Sequence, residues 1–278
     1  DKNGIHIKCK NLSGKKIIIP ELSVTATENA VMASVLAEGT TEIRLAATEP
    51  HVQDLCRFLN KMGAKIENIG TNNLVVKGVK TLKGTTYKIT GDYLEAGTFA
   101  IAAAATQGDL IIKGIDTNQL DSFWQKLEEA GIKFELLENS AHIFPSKKLD
   151  AVKILRTAVY PSFPTDLQAP FAVLLTQAHG VSKIFETLFE GRLNYLFELE
   201  KMGAHIEYLN PHQALVIGPT VLKPLAISSC DIRAGAAMVV AALIAKGKTE
   251  ISNINYIDRG YEKFDEKLRK IGADIVRV

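Results

Sequence analysis

The chain contains four copies of one sequence pattern, and this internal repeat limits the possible folds more than any other feature. Its clearest marker is a helix-like segment that runs into a glycine, and these glycines are Gly63, Gly131, Gly203 and Gly272, at intervals of 68, 72 and 69 residues. A second marker, an apolar segment that also ends in glycine, keeps the same spacing at Gly39, Gly108, Gly180 and Gly247. Two markers in constant phase indicate a true repeat, with a period longer than that of the usual solenoid units.

The third copy shows most clearly what one repeat builds. Its predicted elements are a strand at 151–156, a helix at 166–180, a strand at 181–186, a helix at 192–202, and a hairpin at 205–208 and 214–217. The unit is therefore βαβαββ, an α/β arrangement. The first helix is apolar nearly all round, so we expect it to be buried and to end at Gly180 as a left-handed cap. The second helix carries charge on one face and is expected at the surface.

The two ends of the chain do not hold a whole repeat. Residues 4–8 match the last strand of the other copies, at 73–77, 142–146 and 214–218, and residues 275–278 stop before a hairpin partner. We therefore expect either a fragment of a longer chain or a final strand that is supplied from elsewhere.

Composition is that of an ordinary globular protein. Of the 278 residues, 46% are hydrophobic and 23% are charged, and the length favours two domains. The net charge is +2 and neither sign forms a patch, which argues against a nucleic-acid or membrane-surface role. The most apolar run, residues 234–245, is shorter than the roughly 20 residues that a membrane-spanning helix needs.

The cysteines and histidines predict neither disulfides nor a metal site. Cys9, Cys56 and Cys230 form no paired framework, and the six histidines include no HxxH or HExxH pair. The sequence begins without a signal peptide, so we expect a reducing, cytoplasmic location.

Equivalent positions in the four copies point to helix starts as the place for chemistry. Sixteen residues before the first-helix glycine stand Ser23, Asp92, Pro164 and Asp231, and fourteen before it stand Thr25, Leu94, Asp166 and Arg233. Fourteen and thirteen residues before the second-helix glycine stand Glu49-Pro50, Thr117-Asn118, Phe189-Glu190 and Asp258-Arg259. We predict a helix start at each position, where free N–H groups and the helix dipole favour a nearby anion by about 0.3–1 kcal/mol.

These positions allow both a structural and a functional interpretation. Ser23, Asp92 and Asp231, each at the predicted start of a buried helix, are explained well as N-caps. Arginine opposes the helix dipole there, so Arg192, Arg233 and Arg259 indicate binding of phosphate or carboxylate. Each arginine taken alone is equally compatible with a solvated surface position.

Asp166 has the most specific surroundings. An aromatic residue and a proline precede it, and we expect Thr165 to cap the helix, which leaves the Asp166 carboxylate free to act as a base or to accept a hydrogen bond from a hydroxyl. The alternative, on spacing alone, is a first-turn aspartate that only offsets the helix dipole.

Several segments together resemble the UDP-N-acetylglucosamine 1-carboxyvinyltransferases, a family of enolpyruvyl transferases. They are residues 156–169 (RTAVYPSFPTDLQA), 186–192 (ETLFEGR), 231–234 (DIRA), 256–262 (YIDRGYE) and 95–99 (EAGTF). The segments occur in the family's order, and the third and fourth repeats carry the resemblance most specifically. It implies transfer of the enolpyruvyl group of phosphoenolpyruvate to the 3-hydroxyl of UDP-N-acetylglucosamine, at the start of peptidoglycan synthesis, without a metal or organic cofactor.

The resemblance also implies a fold of two inside-out α/β barrel domains. Each is a ring of three βαβαββ units with buried helices, and ligands bind in a cleft between the domains. Residues 1–89 then correspond to the last repeat of the first domain, which is incomplete because its first two repeats are absent, and residues 90–278 to a second domain of three repeats that lacks its final strand. We therefore expect the 278-residue chain by itself to have little or no transferase activity.

Site residues follow from the same resemblance. Asp166 matches the family's aspartate beside the sugar 3-hydroxyl, which is the base, and Asp231, Arg233 and Arg259 match cleft residues near the enolpyruvyl group and the phosphate. The other implied substrate-binding residues are Glu21, Leu22, Ser23 and Val24 along the uridine site, Leu188 through its backbone, and Arg192 and Glu49 as further cleft members.

Some positions depart from the family pattern. Glu21, Thr25 and Tyr93 stand where the family usually has Lys, Gly and Arg, and no cysteine lies in the context of the lid acid that protonates the enolpyruvyl methylene.

Two alternative functions stay open. The first is a sister enzyme that uses shikimate 3-phosphate, although residues 21–24 along the uridine site and residues 163–166 argue against it. The second is a non-catalytic homologue that only binds the sugar nucleotide. The oligomeric state also stays open.

Overall fold

The computed structural model describes residues 6–229 and 231–278, and the chain divides into two compact units, Asp1–Thr90 and Gly91–Val278. Each unit is built from the repeat that the sequence predicts. Within the described residues, no helix has both the length and the apolar composition needed to cross a membrane.

The first unit holds one complete βαβαββ repeat. Its elements are β1 (Lys16–Ile18), α1 (Val24–Ser34), β2 (Thr40–Arg44), α2 (Pro50–Lys61), β3 (Lys65–Glu67) and β4 (Asn73–Lys77). The strands form one sheet in the order β1-β2-β4-β3, in which β1 and β2 are parallel and β4 is antiparallel to both of its neighbours.

The second unit contains three further copies. The second copy has α3 (Tyr93–Ala105), β5 (Leu110–Lys113), a 3-10 turn (Thr117–Leu120), α4 (Asp121–Glu129), β6 (Phe134–Leu137) and β7 (Ser140–Ile143). The third has β8 (Ile154–Arg156), α5 (Thr165–Leu175), β9 (Gly180–Phe185), a 3-10 turn (Arg192–Asn194), α6 (Tyr195–Lys201), β10 (His205–Asn210) and β11 (Gln213–Gly218). The fourth has β12 (Ala226–Ser228), α7 (Ile232–Ile244), β13 (Glu250–Ser252), α8 (Asn255–Asp258) and α9 (Phe264–Lys270).

The sheets show that the four copies share one topology. The sheet of the third copy, β8-β9-β11-β10, has the same strand order as the sheet of the first unit. The second copy forms the last three strands of that order (β5-β7-β6). In the fourth copy, the described residues form only the two parallel strands (β12-β13). The βαβαββ prediction is therefore confirmed in full for the first and third copies. Gly4 and Ile5 of the predicted strand at 4–8 lie outside the described residues, and residues 6–8 form no strand.

The first helices of the second unit make its core. α3, α5 and α7 contact one another, and most residues beyond their first turn are buried, as their uniformly apolar composition predicts. α3 and α5 approach so closely that a Cβ on Gly97 would lie 2.4 Å from Cδ1 of Leu167. The same prediction is wrong for α1, which exposes 47% of Met32, because in its own unit it packs against α2 and the sheet on one side only.

The second helices all end in the same backbone motif. The residue after each C-cap is glycine with φ between +79° and +103°, and the next N–H donates to the carbonyl five residues back, as in a Schellman motif. These glycines are Gly63, Gly131, Gly203 and Gly272. The expectation that Gly180 caps α5 is wrong. Thr176 is the C-cap, and Gly180 is the first residue of β9.

Candidate active site

The predicted site residues follow the two parallel strands of their repeats. Parallel strands have their carboxyl ends at the same edge of a sheet, so the segments after β8 and β9, or after β12 and β13, lie close together. The spacing argument located the first helices correctly, since Ser23, Asp92, Pro164 and Asp231 are the N-caps of α1, α3, α5 and α7. Asp166 and Arg233 are accordingly the second residues of α5 and α7.

Asp166 lies between two arginines of the second unit. Its Oδ1 accepts a hydrogen bond from Arg192 Nη1 at 3.1 Å and another from Arg233 Nε. The three side chains are 25%, 17% and 33% exposed, in the order Asp166, Arg192 and Arg233, so water screens these ion pairs only in part. Within the part of the chain that the structure describes, Asp166 Oδ2 accepts no hydrogen bond. This oxygen is therefore available to an incoming hydroxyl.

Thr165 joins this cluster in a way that the sequence did not predict. It was expected to cap α5, but the N-cap is Pro164, and Thr165 is the first helical residue. Its hydroxyl accepts a hydrogen bond from Arg192 Nη1 at 2.8 Å and donates one to Glu186 Oε2 at 2.7 Å. Phe163 anchors the loop before it, because its buried ring packs edge-on against Phe171 with centroids 5.4 Å apart.

The surroundings of Arg192 are crowded and of mixed charge. Burial, followed by the like charge of Arg233, lowers the pKa of the Arg192 guanidinium. The carboxylates of Asp166 and Glu186 act in the opposite direction. The guanidinium also stands over the Phe189 ring, 4.1 Å from its centroid, in a cation–π contact. Arg192 is thus held from several sides.

Asp231 and Arg233 have different roles at the start of α7. Asp231 Oδ1 accepts the backbone N–H groups of Arg233 at 2.7 Å and Ala234 at 3.0 Å, so the N-cap interpretation of Asp231 is confirmed. The Arg233 side chain donates its hydrogen bond to Asp166 from Nε. Within the described residues its two terminal nitrogens have no partner, and a guanidinium with free donors beside a helix N-terminus is suited to bind an anion.

Arg259 lies elsewhere than the sequence predicted. It was expected at a helix start, but it is the C-cap of the short helix α8, with an exposed side chain. The argument that it opposes a helix dipole is therefore wrong. Within the described residues, Arg259 forms no side-chain hydrogen bond or ion pair with Asp166, Arg192 or Arg233. It lies near the start of α7, because a Cβ on the adjacent Gly260 would lie 2.5 Å from Cγ2 of Ile232.

The third repeat departs from the predicted helix start as well. Phe189-Glu190 precede a 3-10 turn that begins at Arg192, and α6 begins only at Tyr195. The Leu188 backbone, which was predicted to bind the sugar nucleotide, uses its N–H to donate to Glu186 Oε1 at 2.9 Å.

The remaining predicted residues belong to the first unit and lie after β1 and β2. Glu21 is exposed, Leu22 and Val24 are partly buried, and Ser23 caps α1 by accepting the Ala26 N–H at 3.4 Å. Glu49 is the N-cap of α2, as its spacing predicted, without a side-chain capping bond. Its Oε2 is buried and has no hydrogen-bond partner among the described residues.

Sequence reasoning missed the role of Glu186, although a signal for it exists. Along β9 and its extension every second residue, Ser182, Ile184 and Glu186, is fully buried. A carboxylate in the inward phase of an alternating strand requires hydrogen-bond partners inside the protein, and such a position marks a polar cluster.

Comparison with known proteins shows which proteins the chain resembles. The chain matches the family model for EPSP synthase (3-phosphoshikimate 1-carboxyvinyltransferase) over residues 2–268. It is 44% identical over 273 residues to UDP-N-acetylglucosamine 1-carboxyvinyltransferase 1 of Caldanaerobacter subterraneus subsp. tengcongensis, covering 98% of this chain and 65% of that protein. It is 46% identical over 266 residues to UDP-N-acetylglucosamine 1-carboxyvinyltransferase of Prochlorococcus marinus (strain MIT 9312), covering 96% and 58%.

Solved structures show the same relationship. The enolpyruvyl transferase NikO from Streptomyces tendae superposes with a TM-score of 0.85 at 25% identity, over 95% of this chain and 65% of that one. An EPSP synthase from Acinetobacter baumannii has a TM-score of 0.74 at 18% identity, over 94% and 63%, which is a likeness of fold alone. The chain spans 58% to 65% of the length of these relatives.

Proposed function

Since the chain belongs to the EPSP synthase (3-phosphoshikimate 1-carboxyvinyltransferase) family, we propose that the protein transfers an enolpyruvyl group from phosphoenolpyruvate to the 3-hydroxyl of UDP-N-acetylglucosamine. The observation that carries this proposal is the cluster in which Asp166 lies between Arg192 and Arg233. It combines a carboxylate that can accept a proton with cationic donors that can hold an anion, at the starts of two buried helices.

Each residue of the cluster has a defined task in this reaction. The sugar hydroxyl oxygen adds to C2 of phosphoenolpyruvate, its proton goes to the Asp166 carboxylate, and the methylene carbon takes up a proton from a general acid outside this cluster, the lid acid of the family pattern. Loss of inorganic phosphate and of a methyl proton then restores the double bond in the product. Arg192, Arg233 and Arg259 hold the carboxylate and phosphate of phosphoenolpyruvate and stabilise the charged tetrahedral intermediate. Asp231 contributes by fixing the start of α7, which carries Arg233.

The choice of sugar nucleotide over shikimate 3-phosphate rests on the relatives. Proteins that are 44% and 46% identical to this chain are named UDP-N-acetylglucosamine 1-carboxyvinyltransferases, whereas the EPSP synthase structure shares 18% identity. In this proposal Glu21, Leu22, Ser23 and Val24 contact the uridine, and Leu188 and Glu49 bind other parts of the substrates. The reaction then belongs to cytoplasmic peptidoglycan precursor synthesis, on which cell wall biogenesis, cell shape and division depend.

The proposal extends to the architecture. We assign residues 1–89 to the last repeat of the family's first domain and residues 90–278 to the second domain, as an inside-out α/β barrel. The contacts among buried α3, α5 and α7, with sheets formed by the intervening strands, support this assignment.

The test is an acceptor comparison with the protein produced from its complete reading frame. Phosphate release from phosphoenolpyruvate is measured with UDP-N-acetylglucosamine and, separately, with shikimate 3-phosphate. We expect turnover in the ordinary enzyme range of about 1–10³ s⁻¹ with the sugar nucleotide alone. Turnover with shikimate 3-phosphate would support the sister enzyme. Tight binding of UDP-N-acetylglucosamine without turnover would support a sugar-nucleotide-binding homologue.

Arg259 provides a second test of the site. Arg259→Ala should raise the KM for phosphoenolpyruvate, because it removes a charge-assisted contact to an anion. The exposed Arg57 on α2 is a control in the other unit, and Arg57→Ala should leave this KM unchanged. An unchanged KM in Arg259→Ala would remove Arg259 from the proposed site.

A further inference from the structure

Glu186 is a fully buried carboxylate beside the proposed active site, and its hydrogen bonds connect the two segments that carry Asp166 and Arg192. Oε1 accepts the backbone N–H groups of Leu188 at 2.9 Å and Phe189 at 3.3 Å, which fixes the segment after β9. Oε2 accepts the hydroxyl proton of Thr165 at 2.7 Å, at the start of α5. Both oxygens are therefore used, and neither points at a free space for a ligand.

The hydrogen bond from Thr165 to Glu186 determines what Thr165 offers to Arg192. A threonine hydroxyl has one proton to donate and two lone pairs with which to accept. Once the proton points at Glu186, the Thr165 oxygen presents only lone pairs to Arg192 Nη1, 2.8 Å away. The same Nη1 also donates to Asp166. The contacts thus form a chain with one direction, from the Arg192 guanidinium through the Thr165 hydroxyl to the Glu186 carboxylate.

From this geometry we propose that Glu186 is a positioning residue that, through the Thr165 hydroxyl, orients the Arg192 guanidinium for the phosphoenolpyruvate anion. This inference rests on the proposed function and names a residue that neither the motif nor the helix-start argument assigned a task. Glu186 touches no substrate in this scheme. Its charge also offsets the two arginines from the buried side of the cluster, where water cannot do so.

The decisive variant is Glu186→Gln, which keeps the size of the side chain. If its amide oxygen keeps the Leu188 and Phe189 N–H bonds, its amide nitrogen faces Thr165. That nitrogen donates, so the Thr165 oxygen must accept from residue 186 as well as from Arg192, and its proton loses the carboxylate that fixed its direction. The Arg192 guanidinium then loses both its defined orientation and the charge of Glu186. We expect the KM for phosphoenolpyruvate to rise about 10- to 100-fold, as for the loss of one hydrogen bond to a charged group, with a smaller change in kcat.

Matched variants separate this role from a general loss of structure. Glu190→Gln makes the same change at an exposed position four residues further on and should leave the KM unaltered. Thr165→Ser keeps the hydroxyl and should resemble the wild type, whereas Thr165→Val should raise the KM as Glu186→Gln does. In the double variant Glu186→Gln/Thr165→Val the two effects should not add, because both break the same chain of contacts. The Thr165 pair tests the proposal even if Glu186→Gln does not fold.

The outcomes distinguish the two proposals. If the wild type turns over UDP-N-acetylglucosamine but the Glu186→Gln and Thr165→Val effects add, the positioning role is wrong while the function stands. If Thr165→Ser and Thr165→Val have the same KM for phosphoenolpyruvate, the positioning role is also wrong and the proposed function still stands. If the wild type shows no turnover with either acceptor, the binding of phosphoenolpyruvate alone is compared across the same variants by calorimetry. A weakening confined to Glu186→Gln and Thr165→Val then supports the positioning role without the proposed reaction.

Discussion

Replacing Asp166 by asparagine removes one negative charge from between two arginines and changes little else. Asparagine has nearly the same size, and its oxygen can still accept the hydrogen bonds from Arg192 and Arg233. What it loses is the ability to take a proton from the substrate hydroxyl and the charge that holds the two guanidinium groups together. The variant therefore affects both stability and turnover, and the two effects have different expected sizes.

The stability loss follows from the exposure of the three side chains. Fully exposed ion pairs contribute about 0.2–1 kcal/mol each, and breaking a fully buried pair costs about 3–5 kcal/mol. Asp166, Arg192 and Arg233 are 25%, 17% and 33% exposed, which is between these limits. We therefore expect Asp166→Asn to lower the free energy of unfolding by roughly 1–3 kcal/mol. Loss of a general base should lower turnover about 10²–10⁴-fold.

The assay keeps these effects apart. Phosphate release is measured with the complete protein at saturating substrates, well below the melting temperature of the variant, after circular dichroism has shown that it is folded. Binding of UDP-N-acetylglucosamine is measured by calorimetry and should change far less than turnover. Asp92→Asn is the control, since Asp92 caps α3 through Oδ1 and asparagine caps a helix almost as well. Its turnover should match the wild type.

A specific result would refute the reasoning. If Asp166→Asn retains near-normal turnover and only lowers the melting temperature, Asp166 is a charge-balancing residue at a helix start. The alternative interpretation of its position is then correct, and the base must be sought elsewhere.

Three further predictions concern the fold. Gly97→Ala should destabilise the protein in guanidinium unfolding by roughly 1 kcal/mol or more, because overpacking against buried Leu167 outweighs the helix propensity gained, whereas Gly84→Ala, which meets nothing within 4 Å, should not. Gly63→Ala should cost about 1–2 kcal/mol through its φ of +103° alone, and Gly63→Asn should cost less. Burial raises the pKa of the Cys56 thiol to about 11, so the wild type should lose stability relative to Cys56→Ala as pH rises from about 9 to 11. The sign follows because the folded state holds the thiol proton more tightly than the unfolded state. Equal pH slopes in the two proteins would contradict it.

The spacing of the repeat predicted the first helices well, for a physical reason. The helix and the turn after it together span sixteen residues from N-cap to glycine in every copy, because the 11-residue helices α1 and α5 are followed by a longer turn than the 13-residue helices α3 and α7. Counting back from that glycine therefore locates Ser23, Asp92 and Asp231 correctly as N-caps. The Schellman glycines are equally regular, because only glycine readily takes the left-handed conformation at that position.

The same counting located the start of α2 at Glu49 but failed before the second helices of the third and fourth copies, because the segments there differ in local structure. In the third copy Gly191, with a φ of +73°, and a 3-10 turn delay the start of α6. In the fourth copy residues 255–258 form the separate helix α8, and α9 begins only after Lys263 in a left-handed conformation. A single fixed spacing cannot anticipate such surface segments, and the error misplaced Arg259. The Thr165–Glu186 bond depends on side-chain direction, which spacing does not supply.

The origin of the central ion pair lies in the repeat itself. Asp166 and Arg233 occupy the same position in consecutive copies, fourteen residues before the first-helix glycine, and both are the second residue of a buried helix. Because α5 and α7 pack together, these equivalent positions come into contact, and the two copies fill them with opposite charges. The second copy places Leu94 in the same position of α3. A symmetric arrangement of helix starts would present like groups to one another, whereas divergence at one equivalent position yields a carboxylate beside a guanidinium. An internal repeat thus allows a contact between residues 67 positions apart to be predicted from the order of the amino acids alone, provided that equivalent positions are compared for charge as well as for apolar character.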